Sequence, residues 1–418
     1  MNFRGLFVAV LLVLALQPIY FMALMAVDYV APAERRAAHL AAAFETGELD
    51  REDKVIPPYN RGDDFGVECV ALGVGLEPGA SPLHNAVAAA RPLAAAPTLC
   101  APLDAAVTHA PDVTWLPYFR YWHGYRIVID PLIAWLPLKA VRLVMLLGLI
   151  AALTFFSVET TWLAGRSAAL AMVVPIVVLT DIWYMWIITS DSLSTIFILG
   201  GAGWFARSIR NGAGDHALIV SAAVMGSVFN YIDFLLNPPW QPMLLAFLLL
   251  AAPPRKIDRQ RLLTCVAVLA AWSLGYALTW VSRWLVAAAL MPDGLAVLRD
   301  VVEVVRYRID GDYEQVVSHR LLAPSARALA VIVWQVWHTD WAAVLAMLTP
   351  VLLPAHAISP RRFAALALPA AIPFAWFEIM SNHTQIHAAI VCRPIASSVG
   401  IVLAAWILAG RERDPLTN

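Results

Sequence analysis

The sequence predicts an all-α polytopic membrane protein with about ten transmembrane helices. Of its 418 residues, 61% are hydrophobic and only 14% are charged, and the mean hydropathy is +0.69. A soluble domain cannot hide that much apolar surface, so composition places the chain among integral membrane proteins. The formal net charge of -1 gives no reason to expect a nucleic-acid partner.

About 20 apolar residues, at a rise of about 1.5 Å each, cross a hydrocarbon core of about 30 Å. Residues 6–27 lack a clear cleavage site, which favours a retained first span over a cleaved signal peptide. We expect a single membrane domain over 1–418. The predicted spans are 6–27, 139–157, 168–188, 192–206, 217–235, 241–252, 262–289, 328–355, 363–379 and 388–409.

The charges predict which side each connection faces. Basic residues in short connections mark the cytoplasmic side of a membrane. One alternate set of connections holds Arg4, Arg166, Arg207, Arg210, Arg255, Lys256, Arg259, Arg261, Arg361, Arg362, Arg411 and Arg413. The sequence therefore predicts a membrane protein with both termini in the cytoplasm. Loops 28–138 and 290–327 and segment 381–387 would lie on the opposite, outer face.

The first outer loop carries several predicted features. Residues 33–49 are typical of a short amphipathic helix, and the apolar run that starts at Phe65 is expected to pack at the membrane interface. Cys69 and Cys100 share this loop, so they could pair in an oxidising compartment or remain free thiols.

The second outer loop is predicted to contain an amphipathic helix over 295–308. Its apolar face would consist of Leu295, Leu298, Val302 and Val305. A helix of this kind commonly lies on the membrane surface with its polar side in water.

Three carboxylates of the first loop are candidates for a general base: Asp63, Asp64 and Glu68. Removing the proton of an acceptor hydroxyl needs a carboxylate placed near it. Asp63 and Asp64 also follow good turn residues, so a turn or a helix cap is the alternative interpretation. Paired acids allow a divalent cation, but no motif indicates one and no cofactor is expected.

Residues 120–126 combine cations with aromatic rings just before the second predicted span. Arg120, His123 and Arg126 could bind a phosphate, since guanidinium forks match phosphate oxygens. The rings could stack on a sugar, and they equally fit an interfacial aromatic belt. These candidate substrate-binding rings are Tyr121, Trp122 and Tyr125.

Polar residues also stand at the predicted outer ends of other spans. Asp191 and the pair Tyr231 and Asp233 are candidates for substrate binding, because an acid in an apolar stretch commonly marks a site. A helix cap or an ion pair with Arg283 is the alternative for each acid.

The run from Ser381 to His387 is the most unusual in the chain. His383 and His387 stand four residues apart, with Asn382 beside them and Arg393 about two turns further on. Two such histidines can ligate zinc, but the glutamate and third ligand of a zinc protease motif are missing. A phosphate-binding cluster is therefore favoured, with Arg283 as a further candidate.

Several landmarks together resemble the GT-C superfamily of multi-span glycosyltransferases. They are a large first outer loop with acids and the segments YFRYWHGYRIVIDPL, YIDFLLNPP, GYALTWVSRW and SNHTQIHAAIVCRPIA. The resemblance covers most of the chain as a pattern of landmarks rather than through one diagnostic motif. Here about 35 residues of the loop precede the acids, whereas the family usually places an acid pair close to its start.

The resemblance implies transfer of a sugar from a polyprenyl-phosphate donor to an acceptor hydroxyl on the periplasmic face, by direct displacement. A first-loop acid would be the base, and the arginines and histidines would stabilise the leaving phosphate. A pentofuranose such as arabinofuranose is one candidate sugar, and the acceptor could be a glycan, a lipid or a surface protein such as a pilin. The alternatives are a surface-glycan ligase or oligosaccharyltransferase, a lipid-linked sugar flippase or transporter, and a structural membrane subunit.

Overall fold

The computed structural model describes residues 3–52, 62–95, 98–253, 257–313, 317–337 and 358–410. The described chain is mostly helical. Six of its helical segments are long and apolar enough to cross a membrane, which is compatible with a multi-pass membrane protein. They are Arg4–Val30, Leu138–Ala164, Asp215–Ile232, Arg259–Leu290, Pro360–Ile379 and Ala388–Ala409.

The N-terminal half contains the first long helix, a set of short elements and the next helices of the bundle. The two short strands pair antiparallel. These elements are α1 (Phe3–Val30), α2 (Ala33–Glu45), α3 (Gly62–Gly73), α4 (Pro82–Val87), β1 (Arg91–Leu93), α5 (Ala101–Val107), β2 (Thr114–Leu116), α6 (Arg126–Trp135), α7 (Leu138–Ala164), α8 (Arg166–Leu179), α9 (Ile182–Met185) and α10 (Thr189–Arg210).

The C-terminal half continues the bundle and adds one amphipathic helix between its spans. Its elements are α11 (Asp215–Ile232), α12 (Trp240–Ala251), α13 (Arg259–Leu290), α14 (Gly294–Asp310), α15 (Ala323–Trp337), α16 (Pro360–Ala367), a 3-10 turn (Leu368–Ala371), α17 (Ile372–Ile379), α18 (Ser381–Ile386), α19 (Ala388–Val391) and α20 (Pro394–Ala409).

Each predicted span overlaps a described helix, but only six of the ten overlap a helical segment that is long and apolar enough to cross a membrane, and several boundaries differ. The predicted span 168–188 ends early, because α8 stops at Leu179 and the chain resumes as the short α9. The predicted span 363–379 is interrupted by the 3-10 turn, where Pro369 removes a backbone donor. Only the first part of the predicted span 328–355 belongs to α15, and residues 338–355 lie outside the described residues.

The tightest crossing in the bundle joins α11 to α13. A side chain added at Gly226 would come within 2.1 Å of the Trp272 carbonyl oxygen, and one at Gly275 within 2.0 Å of the Ala223 oxygen. Each helix therefore uses a glycine to let the other backbone approach, as small residues do between membrane helices. This crossing fixes where the ends of α11 and α13 stand relative to each other.

Residues of the first loop are linked to one another by a disulfide and by an ion pair. Cys69 of α3 and Cys100 form a disulfide with Cα atoms 5.0 Å apart. Arg36 of α2 binds the Asp130 carboxylate of α6 at 2.8 Å. These covalent and ionic links hold α3 to the start of α5 and α2 to α6.

The helix α14 has two apolar stripes rather than the single predicted one. Val297 and Val301 are its buried residues, with Val305 partly buried behind them. Leu295, Leu298 and Val302 are exposed, at 69%, 38% and 49% of their surface. Three of the four residues of the predicted face thus point away from the protein, which suits a helix lying on a membrane, and the neighbouring stripe, which includes Val305, packs against α13.

Candidate functional site

The segment between α11 and α12 joins two polar clusters that are distant in sequence. The Phe234 ring packs edge-on against Tyr121 and Tyr125, with centroids 5.6 Å and 4.8 Å apart. The next residue, Leu235, adopts a left-handed φ of 71°, and its carbonyl oxygen accepts a hydrogen bond from His383 Nε2 at 3.0 Å. Residues 120–126 and 381–387 therefore meet on either side of one short turn.

A second contact to the α11 end explains Gly124. The Gly124 N–H donates to the Tyr231 carbonyl oxygen at 2.7 Å. Any side chain at position 124 would stand 2.6 Å from that oxygen and 2.4 Å from the Tyr231 ring. The glycine between His123 and Tyr125 is thus required for this close approach.

The helix α14 covers the junction of these clusters. Arg308 donates a short hydrogen bond from Nη2 to the Tyr121 hydroxyl, and its guanidinium carbon lies 5.2 Å from the centre of the Tyr121 ring. Asn382 Nδ2 donates to the Tyr307 carbonyl oxygen at 2.6 Å. One turn of α14 therefore touches both clusters.

Arg308 has a donor to spare. Its Nη1 is buried and has no hydrogen-bond partner among the described residues, and the same holds for Asn382 Oδ1. A guanidinium carries its charge at any physiological pH, so an unused N–H there favours an anionic ligand. Sequence reasoning placed Arg308 in a solvated helix. Its position three residues after Val305 places it on the buried stripe, but the sequence does not show which of the two stripes of α14 is buried.

Arg126, by contrast, is committed to structural partners. It binds Asp130 through Nε at 2.8 Å and Asp28 through Nη2 at 2.9 Å. Since Arg36 binds the same Asp130, two arginines and two aspartates form one buried cluster between α1, α2 and α6. These contacts use the donors that the predicted phosphate role of Arg126 would need.

Arg283 is also committed to structural partners, and among the described contacts none joins it to Asp233. Its guanidinium donates to four carbonyl oxygens, all at 2.8 or 2.9 Å. These belong to Phe119, Tyr121, Ala86 and Val87. The side chain therefore satisfies the backbone of the first loop, and that arrangement replaces the predicted ion pair.

Arg393 forms the third buried arginine centre. It binds Asp181 through Nε at 2.8 Å and Nη2 at 2.7 Å, and it makes a short contact with Asp191 through Nη1. The partner that sequence reasoning missed is Asp181, which stands at the break between α8 and α9. This cluster ties the start of α20 to the starts of α9 and α10.

Arg120 is the most accessible of the predicted arginines. Its guanidinium pairs with Asp300 of α14 at 3.1 Å, and both side chains are more than a third exposed. Its carbonyl oxygen accepts hydrogen bonds from Trp280 and Trp284. The Arg120 side chain thus tethers α14 at the rim of the junction.

The side chains of His123 and His383 are neutral rather than cationic. Burial lowers the pKa of His123 and of His383 well below 6.5, and neighbouring arginines act in the same direction. Each uses Nε2 toward a carbonyl oxygen, of Tyr118 for His123 and of Leu235 for His383, so the proton must stand on Nε2. Each ring then offers only Nδ1, which accepts. His387 packs 4.8 Å from His383, centre to centre.

The predicted substrate-binding rings are mostly packing residues. Trp122 donates to the Thr279 carbonyl oxygen, Tyr125 to that of Ala71 and Tyr231 to that of Tyr20. All three are buried. Tyr121 is also buried, yet its hydroxyl reaches Arg308 and so belongs to the junction.

The Glu68 side chain is buried against the start of α10. Its carboxylate accepts the Thr189 N–H at 2.9 Å and the Thr189 hydroxyl at 3.0 Å. Burial raises the pKa of Glu68 from 4.5 to about 7, opposed by the nearby Arg142 charge. Glu68 therefore anchors α3 to the start of α10 and caps that helix. Asp63 and Asp64 belong to the first turn of α3, and their side chains lie outside what the structure describes.

Asp233 is a buried acid at the end of α11 with few partners. Asp233 Oδ2 accepts the Leu236 N–H at 2.9 Å, and the Ser194 hydroxyl lies beside the carboxylate. Within the described ranges, the buried Ser190 and Thr384 hydroxyls and the Asn237 amide have no hydrogen-bond partner. Unpaired buried polar groups cost about 1–3 kcal/mol each, and ligand hydroxyls or water would satisfy them.

An apolar groove of about 440 Å³ leads away from the junction. It runs between α12, α13 and α17, and Pro238, Trp272, Tyr276, Trp280 and Trp376 are among its lining residues. Its Tyr276 lies within electrostatic reach of Arg308, and its Trp280 donates to the Arg120 carbonyl oxygen. Two residues that line the groove, Tyr276 and Trp280, therefore lie near the arginines of the junction.

Neither a protein-family model, nor a curated protein, nor a solved structure matches this chain. Within the described residues, no group of three or more His, Cys, Asp or Glu side chains is arranged to hold a metal ion.

Proposed function

We propose that this protein is a membrane glycosyltransferase of the GT-C type that uses a polyprenyl-phosphate sugar donor. One observation carries the proposal: Arg308, a half-buried guanidinium with a spare N–H, lies within electrostatic reach of Tyr276, which lines an apolar groove. A long hydrocarbon tail needs such a groove, and a phosphate head needs such a cation. The same combination fits a nucleotide-linked sugar poorly, because that donor has no tail.

The chemistry would be a direct displacement at the anomeric carbon of the sugar. A carboxylate of the first loop, Asp63 or Asp64, takes the proton of the acceptor hydroxyl while the oxygen of that hydroxyl bonds to the sugar. The bond from the sugar to the phosphate oxygen breaks, and both electrons leave with the phosphate. Arg308 stabilises the charge that develops there.

Roles for the other candidates follow from their partners. Arg120 and Tyr121 position Arg308, one by holding α14 through Asp300 and the other by its hydroxyl. Arg126, Arg283 and Arg393 hold the walls of the site. The unpaired polar groups near Asp233 supply hydrogen bonds for the sugar hydroxyls. The active site would face the periplasm of a bacterial inner membrane, as the basic residues of the opposite connections predict.

Binding of undecaprenyl phosphate to the purified protein tests the proposal. Arg308→Gln should weaken this binding by about tenfold or more, since a hydrogen bond to a charged group contributes about 1.5–3 kcal/mol. Arg306→Gln is the matched control, because Arg306 stands on the exposed side of the same helix. Equal affinities in wild type and Arg308→Gln would remove the phosphate role. Tight binding without any sugar transfer would instead favour a lipid-linked sugar flippase.

A further inference from the structure

Arg91 is a second arginine beside the junction that has no acidic partner. It begins β1, and its guanidinium carbon lies 5.3 Å from the centre of the Tyr118 ring. Its Nε is buried without a hydrogen-bond partner, and no described carboxylate forms an ion pair with it. Contact with the face of a ring leaves the N–H groups of a guanidinium unused. Arg91 therefore offers donors and a positive charge to an anion.

The backbone around Arg91 is held by hydrogen bonds. Arg91 itself pairs with Leu116 in the two-stranded sheet. The Tyr118 N–H donates to the Ala88 carbonyl oxygen at 2.8 Å, and Arg283 donates to the two carbonyl oxygens that precede it in the chain. The position of Arg91 beside the Tyr118 ring is therefore fixed by the backbone of the first loop.

Two tyrosine rings connect Arg91 with Arg308. The rings of Tyr118 and Tyr121 pack edge to face with centroids 5.7 Å apart, and Arg308 binds the Tyr121 hydroxyl. Burial raises the pKa of Tyr118 to about 12, and the charges of three arginines oppose that rise: Arg308, Arg91 and Arg120. All three guanidinium groups therefore lie within electrostatic reach of the Tyr118 hydroxyl.

The charges around this hydroxyl do not balance. Arg120 is paired with Asp300, whereas no described carboxylate forms an ion pair with Arg91 or Arg308. Two unpaired guanidinium groups repel each other, and an anion with two negative charges would neutralise both. A phosphodiester carries one negative charge, whereas a phosphomonoester carries up to two, because its second pKa is about 6. The junction therefore favours a phosphomonoester.

Resting on the proposed function, we infer that Arg91 is a further catalytic residue, which binds the phosphate of the leaving polyprenyl group together with Arg308. The donor is a phosphodiester with one negative charge. When the bond from the anomeric carbon to the phosphate oxygen breaks, both electrons remain on that oxygen, and polyprenyl phosphate leaves with two charges. The proton of the acceptor hydroxyl goes to the first-loop carboxylate, so it does not neutralise the new charge.

The second charge appears only as the reaction proceeds, and this decides what Arg91 does. Arg308 alone matches the single charge of the donor, and Arg91 and Arg308 together match the two charges of the leaving group. An interaction that strengthens from the substrate to the transition state lowers the barrier without tightening the binding of the donor. Arg91 would thus accelerate the cleavage of the bond rather than capture the donor.

Two ligands that differ by one charge test this inference on the purified full-length protein. The probes are undecaprenyl phosphate and its P-methyl ester, which share the tail but carry two charges and one charge at pH 8. Wild type should bind undecaprenyl phosphate about tenfold or more tightly than the ester. Arg91→Gln should bind the two with equal affinity, because the amide keeps a donor but not the charge. Arg308→Gln should bind both less tightly than wild type.

Arg35→Gln is the matched control for Arg91→Gln. Arg35 also lies over an aromatic ring, 4.1 Å from the centre of the Trp135 ring, but it is exposed on α2. Its variant should keep the wild-type preference for undecaprenyl phosphate. Arg91→Lys should keep part of that preference, because it retains the positive charge. Complete loss in a folded Arg91→Lys would contradict the inference even if Arg91→Gln did not fold.

Wild type also provides a test that needs no variant. At pH 5 undecaprenyl phosphate carries about one charge, so its advantage over the ester should largely disappear. Three results would each overturn the inference and leave the proposed function intact: equal affinities in wild type at pH 8, an advantage that persists at pH 5, or an unchanged advantage in Arg91→Gln. If wild type binds neither ligand, the proposed function is wrong and the inference fails with it.

Discussion

Arg393 binds Asp181 through two hydrogen bonds, from Nε at 2.8 Å and from Nη2 at 2.7 Å, and both side chains are almost fully buried. The pair joins α20 to the break between α8 and α9. Asp181→Asn removes the charge of the carboxylate that accepts both of these hydrogen bonds, and a hydrogen bond to a charged group contributes about 1.5–3 kcal/mol. We therefore expect Asp181→Asn to lower the thermal midpoint of the detergent-solubilised protein clearly.

The exposed pair of Arg120 and Asp300 provides the comparison for this experiment. Both of its side chains are more than a third exposed, and such surface pairs contribute about 0–1 kcal/mol. Asp300→Asn should thus shift the midpoint little. If Asp300→Asn destabilised the protein as much as Asp181→Asn, the Arg393 cluster would not be the structural centre inferred here.

Glu68 should make stability depend on pH. Burial raises its pKa from 4.5 to about 7, so between these values the folded protein holds a proton that the unfolded chain has released. Stability contributed by this proton is complete below pH 4.5 and is lost as the pH rises toward 7, at about 1.4 kcal/mol per pH unit.

Glu68→Gln isolates that contribution, because its neutral amide does not titrate. The thermal midpoint of wild type, measured relative to Glu68→Gln in one buffer series, should fall from pH 5 to pH 7 and then level off. A constant difference between the two proteins across this range would show that Glu68 does not hold the proton in the folded state.

Much of the helical framework is readable from the sequence, because apolar windows must be long enough to cross a bilayer. The start of α10 is a boundary that the apolar pattern does not predict. Thr189 and Asp191 extend the helix beyond the predicted start at 192, since Glu68 and Arg393 satisfy them from distant parts of the chain.

The site was harder to predict, for a related physical reason. The sequence predicts that Arg126, Arg283 and Arg393 bind phosphate, and burying such a charge has a large free-energy cost. This cost is offset by hydrogen bonds to aspartates and carbonyl oxygens, such as Asp28 and the Phe119 carbonyl oxygen. Only the fold brings these partners near the arginines. Arg308 was overlooked because a one-dimensional pattern does not show which of two apolar stripes of α14 faces the protein.

The identity of the base gives a prediction about activity. The structure uses the Glu68 carboxylate to hold Thr189, which leaves Asp63 and Asp64 at the start of α3 as the candidates. We expect the Asp63→Asn and Asp64→Asn double variant to lose about 100-fold or more of its transfer rate, in the range of general-base catalysis, with an unchanged thermal midpoint.

The two single variants would then show which aspartate acts. Glu68→Gln should keep most of the transfer rate at a pH where it remains folded. Full activity of the Asp63 and Asp64 double variant, or loss of activity in Glu68→Gln alone, would transfer the catalytic role away from these aspartates.

The predicted orientation in the membrane can be tested by cysteine labelling. Cys265 and Cys392 are buried, and Cys69 is bonded to Cys100, so the background reactivity of the native chain should be low. Asn382 is a poor reporter because it is fully buried.

Arg320 and Arg259 are exposed. Arg320 stands on a connection predicted to face the periplasm, and Arg259 on one predicted to face the cytoplasm. A membrane-impermeant maleimide should therefore label Arg320→Cys in spheroplasts and should label Arg259→Cys only after permeabilisation. The reverse pattern would place the junction of residues 120–126 and 381–387 on the cytoplasmic side. A nucleotide-linked donor would be accessible there. The polyprenyl-phosphate proposal would then lose its main topological argument.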